Sequence, residues 1–373
     1  MTQDFHTYRE IRQQPRVWRE AYEMVLSRKE DIISFTNRFL SEGYIPVLTG
    51  AGTSAYIGDA LEPALFHTRL NNARAIPTTD ILTAPELFFD SDSRILLISF
   101  ARSGNSPESV GAIRAAEKTA GKVAHIFITC NPNGELARMK GDNILTLLLP
   151  PETNDVSLAM TSSYSTMLLV CSLIAHIDDI EGQKACIETL ADTVEKMLVR
   201  YDEPIRQIAA KPFKRAVFLG SGVLKGVAEE GRLKLQELTD GAVMCAYDSF
   251  LGFRHGPKAV VHPDTVMVYF TSDNPNVLRY ERDLIRQVTA GNHLAGSVVV
   301  CQHRPADADP ACEDLCVEIG LPGGFPECYG CVSYVVVAQL LGYYKSIDSG
   351  LSPDAPSVSG NISRVVEGVT LYI

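Results

Sequence analysis

The sequence predicts an α/β chain of two tandem duplicated domains, each a mostly parallel sheet with helices on both faces. Three observations lead there. At 373 residues the chain is too long for one ordinary core and suits two domains. Apolar runs of strand length alternate with helical patterns, the mark of a parallel sheet covered on both sides. The second half also repeats the first. R-A-V-F-L-G-S-G at 215–222 answers P-V-L-T-G-A-G at 46–52, and V-V-V-C-Q at 298–302 answers F-I-T-C-N at 127–131. Strands ending at Pro150 and Pro322 keep nearly the same offset, so the repeat is a duplication rather than a chance match. The expected divisions are a helical segment over 1–44, a first domain over 45–200, and a second over 201–373 that carries a C-terminal tail.

In chain order, apolar residues at helical spacing over 15–42, among them Val17, Tyr22, Val25, Ile32 and Phe39, predict one or two amphipathic helices that Gly43 ends. A short strand over 45–48 leads into T-G-A-G-T-S. Gly50, Gly52 and Ala55 fit a loose dinucleotide fingerprint, but no acidic residue follows about 20 positions on, so no nicotinamide or other cofactor is expected. Thr53 and Ser54 then read as hydroxyls at a helix start. Further strands are expected over 95–98, 125–129 and 144–149, and the hydroxyl-rich segment 157–166 opens another helix. Residues 181–210 read as a polar helical connector. A loop is expected from Glu237 to R-H-G-P, and an apolar helix over 328–343.

Composition narrows the function. With 46% hydrophobic and 21% charged residues the chain has the makeup of a globular protein, and its net charge of −11 argues against nucleic acid as partner. No apolar run approaches the roughly 20 residues that span a bilayer, and M-T-Q-D-F-H-T-Y-R-E is no signal peptide, so a cytoplasmic protein without a membrane partner is expected. Nine cysteines, an odd number with none before Cys130, fit a reducing compartment. Cys328 and Cys331 form C-x-x-C with Cys301, His303, Cys312 and Cys316 nearby, a composition that also suits zinc. Cys301 occupies the strand end that Cys130 holds in the first copy, which favours structural thiols and no metal.

The strand at 95–98 runs into Ser99, Ala101, Arg102, Ser103, Gly104, Asn105 and Ser106, with Pro107 opening a helix. Backbone N–H groups at a helix start, joined by short hydroxyls and the helix dipole, make a phosphate cradle. A plain helix cap would look the same. In the second copy the equivalent stretch is Y-F-T-S-D-N-P at 269–275, without the glycine or the dense hydroxyls. The second copy offers V-A-E-E-G-R-L-K-L-Q-E-L at 227–238 instead. Glu230, Lys234 and Glu237 lie at i, i+4 and i+7, on one helix face. That spacing also suits a solvated face with an ordinary ion pair. His255, between Arg254 and Gly256, would complement a carboxylate in moving protons near neutral pH, although a lone histidine in a turn is more often structural than catalytic.

T-G-A-G-T-S, S-F-A-R-S-G-N-S-P-E-S, and E-E-G-R-L-K-L-Q-E-L followed by R-H-G-P resemble the SIS (sugar isomerase) domains over nearly the whole chain from residue 45. The pair resembles the isomerase half of glucosamine-6-phosphate synthase, and more closely the two-domain family of galactosamine-6-phosphate deaminase/isomerases, also called tagatose-6-phosphate ketose/aldose isomerases. The resemblance implies phosphate binding by Thr53, Ser54, Arg102, Ser103 and Ser106. It implies a proton-carrying carboxylate at Glu237, a helix lysine at Lys234, and a ring-opening histidine at His255 that reaches the site from a second subunit of a homodimer. Three departures stand out. Ala101 replaces a phosphate-binding serine, a place Ser99 or Asn105 could take. The interval from Glu237 to His255 is longer, and Arg364 stands where a lysine meets the open-chain sugar. Arginine cannot release a proton as an amine does, so it would orient oxygens or stabilise an oxyanion. Without a glutaminase domain, the implied reaction is deamination and isomerisation of an amino sugar 6-phosphate. Ketose/aldose isomerisation of a neutral sugar phosphate is the alternative, and a non-catalytic sugar-phosphate sensor the second one. The tail over 349–360 has the composition of a mobile loop.

Overall fold

The computed structural model describes residues 5–291, 293–306, 308–366 and 368–372. Three helices open the chain, α1 (His6–Arg12), α2 (Gln14–Ser27) and α3 (Lys29–Ser41). Val17, Trp18, Ala21, Tyr22 and Val25 bury one stripe of α2, as the sequence spacing requires. Gly43 ends α3 at φ 83°, a conformation in which a side chain would be strained. The first sheet region follows with β1 (Ile45–Thr49), α4 (Thr53–Leu61), β2 (Arg74–Ala75), α5 (Thr78–Thr83), β3 (Arg94–Ala101) and α6 (Pro107–Thr119). It continues through β4 (Lys122–Thr129), α7 (Glu135–Arg138), β5 (Ile144–Leu148) and α8 (Ser162–Ala175). After α9 (Lys184–Arg200) and α10 (Asp202–Ala209) come β6 (Arg215–Leu219), α11 (Val223–Leu238), β7 (Met244–Asp248) and β8 (Thr265–Phe270). The chain closes with α12 (Pro275–Gly291), β9 (Gly296–Cys301), β10 (Leu315–Glu318) and α13 (Glu327–Asp348).

Both sheets are five-stranded and parallel, ordered β2-β1-β3-β4-β5 and β7-β6-β8-β9-β10. The strand order is the same in each, so the duplication seen in the sequence is a duplication of topology. The strand expected to end at Pro322 ends at Glu318, and two strands stand where none is expected. β2 is two residues long and carries no apolar run. The stretch after Glu237, expected as a loop, contains β7, whose residues M-C-A-Y-D are all at least partly exposed. An edge strand of mixed polarity gives no apolar signal to read.

By its contacts the chain forms two compact units. One comprises 16–155, 162–187 and 363–373 around the first sheet; the other comprises 1–15, 156–161 and 188–362 around the second. In the first, Val47, Ile95, Leu97 and Phe127 face Ile81 of α5 and Val110 and Ile113 of α6. Leu48 points the other way, where Gly58 lets α4 approach it closely. In the second, Val217, Leu219, Met267 and Tyr269 face Leu284 and Val288 of α12. Phe218 points to the opposite face and meets α11 at Gly231. Each sheet is thus covered on both faces, which leaves the carboxyl ends of its strands as the open edge for a ligand.

Candidate functional site

In the first-sheet unit, both hydroxyl-bearing turns lie just past the carboxyl ends of neighbouring strands β1 and β3. Gly52 starts α4 at φ 53°, ψ −127°, and Thr53 and Ser54 follow as its first residues, both buried. After β3, Gly104 takes φ 65° and packs against Gly134 and Leu136. Ser106 caps α6: its hydroxyl accepts from the Ser109 N–H at 3.3 Å and pairs with the Ser109 hydroxyl at 2.6 Å. The Ser103 carbonyl accepts from Asn131 Nδ2 at 3.0 Å, which ties this turn to the one after β4. The result is a hydrogen-bonded turn with N–H groups and hydroxyls at a helix start, an arrangement able to hold an anion.

Ser99 and Asn105, the two replacements for the missing serine at Ala101, differ in what they offer. Ser99 is buried in β3, and its hydroxyl meets no hydrogen-bond partner among the described residues. Asn105 is exposed and accepts from the Glu135 N–H at 2.8 Å, so its carbonyl oxygen is used in joining two loops.

Arg102 is buried at 6% exposure, and its Nη2 donates to the carbonyl of Arg364 at 2.6 Å. Arg364 in turn donates from Nε and Nη2 to the carbonyl of Asp155 at 2.9 and 2.6 Å, and to Asn154 Oδ1 at 3.1 Å. Two sequence-predicted residues, Arg102 and Arg364, are therefore brought together through backbone oxygens. Asp155, which the sequence reading did not single out, is the centre of this corner. Its buried carboxylate accepts from the hydroxyls of Ser162 and Ser163 and from the Ser163 N–H at 2.9 Å. The signal was present as a lone carboxylate just ahead of a run of hydroxyls. Between these groups the Cys130 thiol is pushed up to about 12 by burial, so it stays protonated.

The second-sheet unit has the same turn and different chemistry. Gly222 starts α11 at φ 56°, ψ −127°, almost the dihedrals of Gly52. The expected shared face of Glu230, Lys234 and Glu237 exists, but it is not solvated. Glu230 and Lys234 are fully buried, and Lys234 Nζ lies 3.1 Å from a Glu230 oxygen while also donating to Glu237. The cause is α13, which approaches closely because Ala338 meets Gly231 and Gly342 sits against the Lys234 backbone. Burial alone would depress the Lys234 pKa, but the two carboxylates outweigh it and raise it, so the ammonium is retained. Only Glu237 of the three reaches solvent, at 15% exposure. A carboxylate held by a fixed ammonium, with one side open, can accept a proton from a bound molecule and return it.

His255 belongs to the same unit. It ends a single helical turn (Gly252–His255), is exposed, and has no side-chain hydrogen bond among the described residues. Gly256, at φ 123°, then turns the chain into Pro257. Cys328 and Cys331 are buried one turn apart on α13, Cys301 and Cys316 lie on adjacent strands, and no cluster of three potential ligands forms among the described residues. No helix among the described residues is long and apolar enough to cross a membrane.

Comparison with known proteins gives consistent results. The model of the SIS domain matches residues 46–177. The D-galactosamine-6-phosphate deaminase AgaS of Shewanella sp. (strain ANA-3) is 38% identical, with 99% of this chain and 92% of that protein covered. The crystal structure of tagatose-6-phosphate ketose/aldose isomerase from Escherichia coli superposes with a TM-score of 0.91 at 33% identity, covering 99% and 97% of the two chains. The glutamine–fructose-6-phosphate aminotransferase of Pyrococcus horikoshii is 28% identical over 83% of this chain but only 50% of its own length.

Proposed function

The chain belongs to the SIS-domain family, in the two-domain group of the galactosamine-6-phosphate deaminases, and from that premise we propose that it converts galactosamine-6-phosphate to tagatose-6-phosphate and ammonia. The observation that carries the chemistry is the clamp on Glu237: a buried ammonium fixes the carboxylate, and that carboxylate alone of the three reaches solvent.

In this reading the first-sheet unit holds the phosphate. The N–H groups at the starts of α4 and α6, the hydroxyls of Thr53, Ser54, Ser103 and Ser106, and the guanidinium of Arg102 supply donors and positive charge. Arg364 keeps Arg102 and the 154–155 turn in place. His255, contributed by a second copy of the chain in a homodimer, protonates the ring oxygen and opens the pyranose. Its exposed turn and lack of a side-chain partner suit that role.

Glu237 then takes the C2 proton of the open-chain aldehyde, leaving an enolamine. Returning the proton to C1 gives a C2 iminium, which water hydrolyses to the ketose phosphate and ammonia. Lys234 stays charged throughout and holds the Glu237 side chain in place between transfers. The enzyme works in the cytoplasm, binds neither nucleic acid nor membrane, and needs no cofactor for this sequence of proton transfers.

A second reading keeps the same residues. A neutral aldose or ketose phosphate would pass through an enediol by the same C2 to C1 transfer, and the similarity to the Escherichia coli isomerase structure favours it. Ammonia release decides. The purified protein is given galactosamine-6-phosphate, glucosamine-6-phosphate and tagatose-6-phosphate in separate reactions. Ammonia and ketose in equal amounts from the first is the expected result. Aldose formed from tagatose-6-phosphate with no ammonia from either amine would move the function to the isomerase, and inactivity on all three would leave a sugar-phosphate sensor.

A further inference from the structure

We propose that Cys301 and Cys316 are a thiol pair that a small hydroperoxide oxidises to a reversible disulfide, a modification site apart from the residues assigned to the sugar phosphate. Cys301 ends β9 and Cys316 lies in β10, with Val299 opposite Cys316 and Glu318 opposite Cys301. Side chains two positions apart share a face, and the two sulfurs stand 3.7 Å apart. That is contact without a bond.

A cavity of about 50 Å³ has Cys301, Cys316, Arg304 and Thr271 in its walls. By this measure one water needs only about 10–15 Å³, so the cavity admits hydrogen peroxide. Cys316 is half-buried and Cys301 buried, which makes Cys316 the sulfur that meets the oxidant. Electrostatics point the same way. The Cys316 pKa is lowered by the hydrogen bond from Cys301 and by the Arg304 guanidinium, against burial and the carboxylates of Glu313 and Glu318. The same contact and burial raise Cys301.

The chemistry balances in two steps. The Cys316 thiolate attacks one peroxide oxygen; an S–O bond forms, the O–O bond breaks, and the departing oxygen takes the proton that Cys316 released. The Cys301 sulfur then displaces hydroxide from the sulfenic acid; the S–S bond forms, and water leaves with the Cys301 proton. The sulfur pair loses two electrons and the peroxide gains them. The partners are diagonal rather than opposite, and closing the bond brings sulfurs 3.7 Å apart to the roughly 2.0 Å of a disulfide. β10 is a four-residue edge strand whose sheet pairing among the described residues is to β9.

The test uses the full-length reduced protein treated with hydrogen peroxide, alkylated, and cleaved at aspartate, since Asp309 lies between the two cysteines. The expected result is loss of two of the nine thiols, recovery of a peptide containing Cys301 linked to one containing Cys316, and return of both thiols with dithiothreitol. In C301S, Cys316 should be trapped as a sulfenic acid by dimedone; in C316S, Cys301 should still alkylate. A bridge to Cys312, oxidation confined to other cysteines, or nine intact thiols after treatment would overturn the proposal, and the wild-type map alone suffices to show any of these.

Discussion

Gly52 and Gly222 hold nearly the same φ and ψ, each follows the first long strand of a sheet of identical order, and each starts a helix. The two helices then diverge. α4 is 9 residues long and presents Thr53 and Ser54 at its first turn. α11 is 16 residues long and places its polar groups two to four turns in, where Glu230, Lys234 and Glu237 are clamped. The helix start acts on anions within its first turn, through N–H groups and dipole; a side chain far along the helix is beyond that field and takes its properties from packing. Duplication therefore supplied two identical frames, and the chemistry diverged by how far along the helix the polar residues fall.

The comparison is broken most severely by removing the proposed proton carrier. Glu237→Gln should lower turnover of galactosamine-6-phosphate by about 100- to 10,000-fold, the usual contribution of a general base, with substrate affinity retained. A steady-state assay with binding measured by calorimetry checks both.

Next comes the clamp. Lys234→Met leaves the buried Glu230 carboxylate without its counter-charge and should cost about 3–5 kcal/mol of stability in urea unfolding. Adding Glu230→Gln should recover most of that loss, since the two groups act as one pair.

The glycine turns allow the sharpest contrast. A Cβ at Gly52 or Gly222 would meet nothing within 4 Å, so alanine there introduces backbone strain without a clash. Each substitution should cost about 1–3 kcal/mol. Only Gly52→Ala should raise KM for the sugar phosphate, because only that turn positions hydroxyls assigned to phosphate; equal KM effects would break the comparison.

The smallest effect concerns the helices that follow the third strand of each order. The sixth residue after the opening proline is Ile113 in α6 and Glu281 in α12, both buried. Burial pushes Glu281 from the ordinary 4.5 to about 7, against the hydrogen bonds from Ser221 and the Ser272 N–H. Between those values the native state holds a proton that the unfolded chain has lost. Stability should therefore fall as pH rises from about 4.5 to about 7, by at most about 1.4 kcal/mol per pH unit. Glu281→Gln should flatten that dependence in urea midpoints taken across the window.

The frame was legible because it is local and periodic. Strand-length apolar runs, Gly43, the Ser106–Pro107 helix start and the repeat of Gly50 and Gly52 at Gly220 and Gly222 are read directly along the chain. β7 was not, since an edge strand with every residue partly exposed looks like a loop. The spacing of Glu230, Lys234 and Glu237 was visible, but their burial depends on Ala338 and Gly342, more than a hundred positions away. The same holds for Arg364 and Asp155, joined across 209 positions. Spacing reports which residues share a face; it does not report what covers that face.

The division of labour rests on Glu237, and the most direct measurement is ammonia release by Glu237→Gln beside binding of galactosamine-6-phosphate to the same variant. The account predicts full binding with almost no ammonia. A variant that keeps most of the wild-type rate would contradict it.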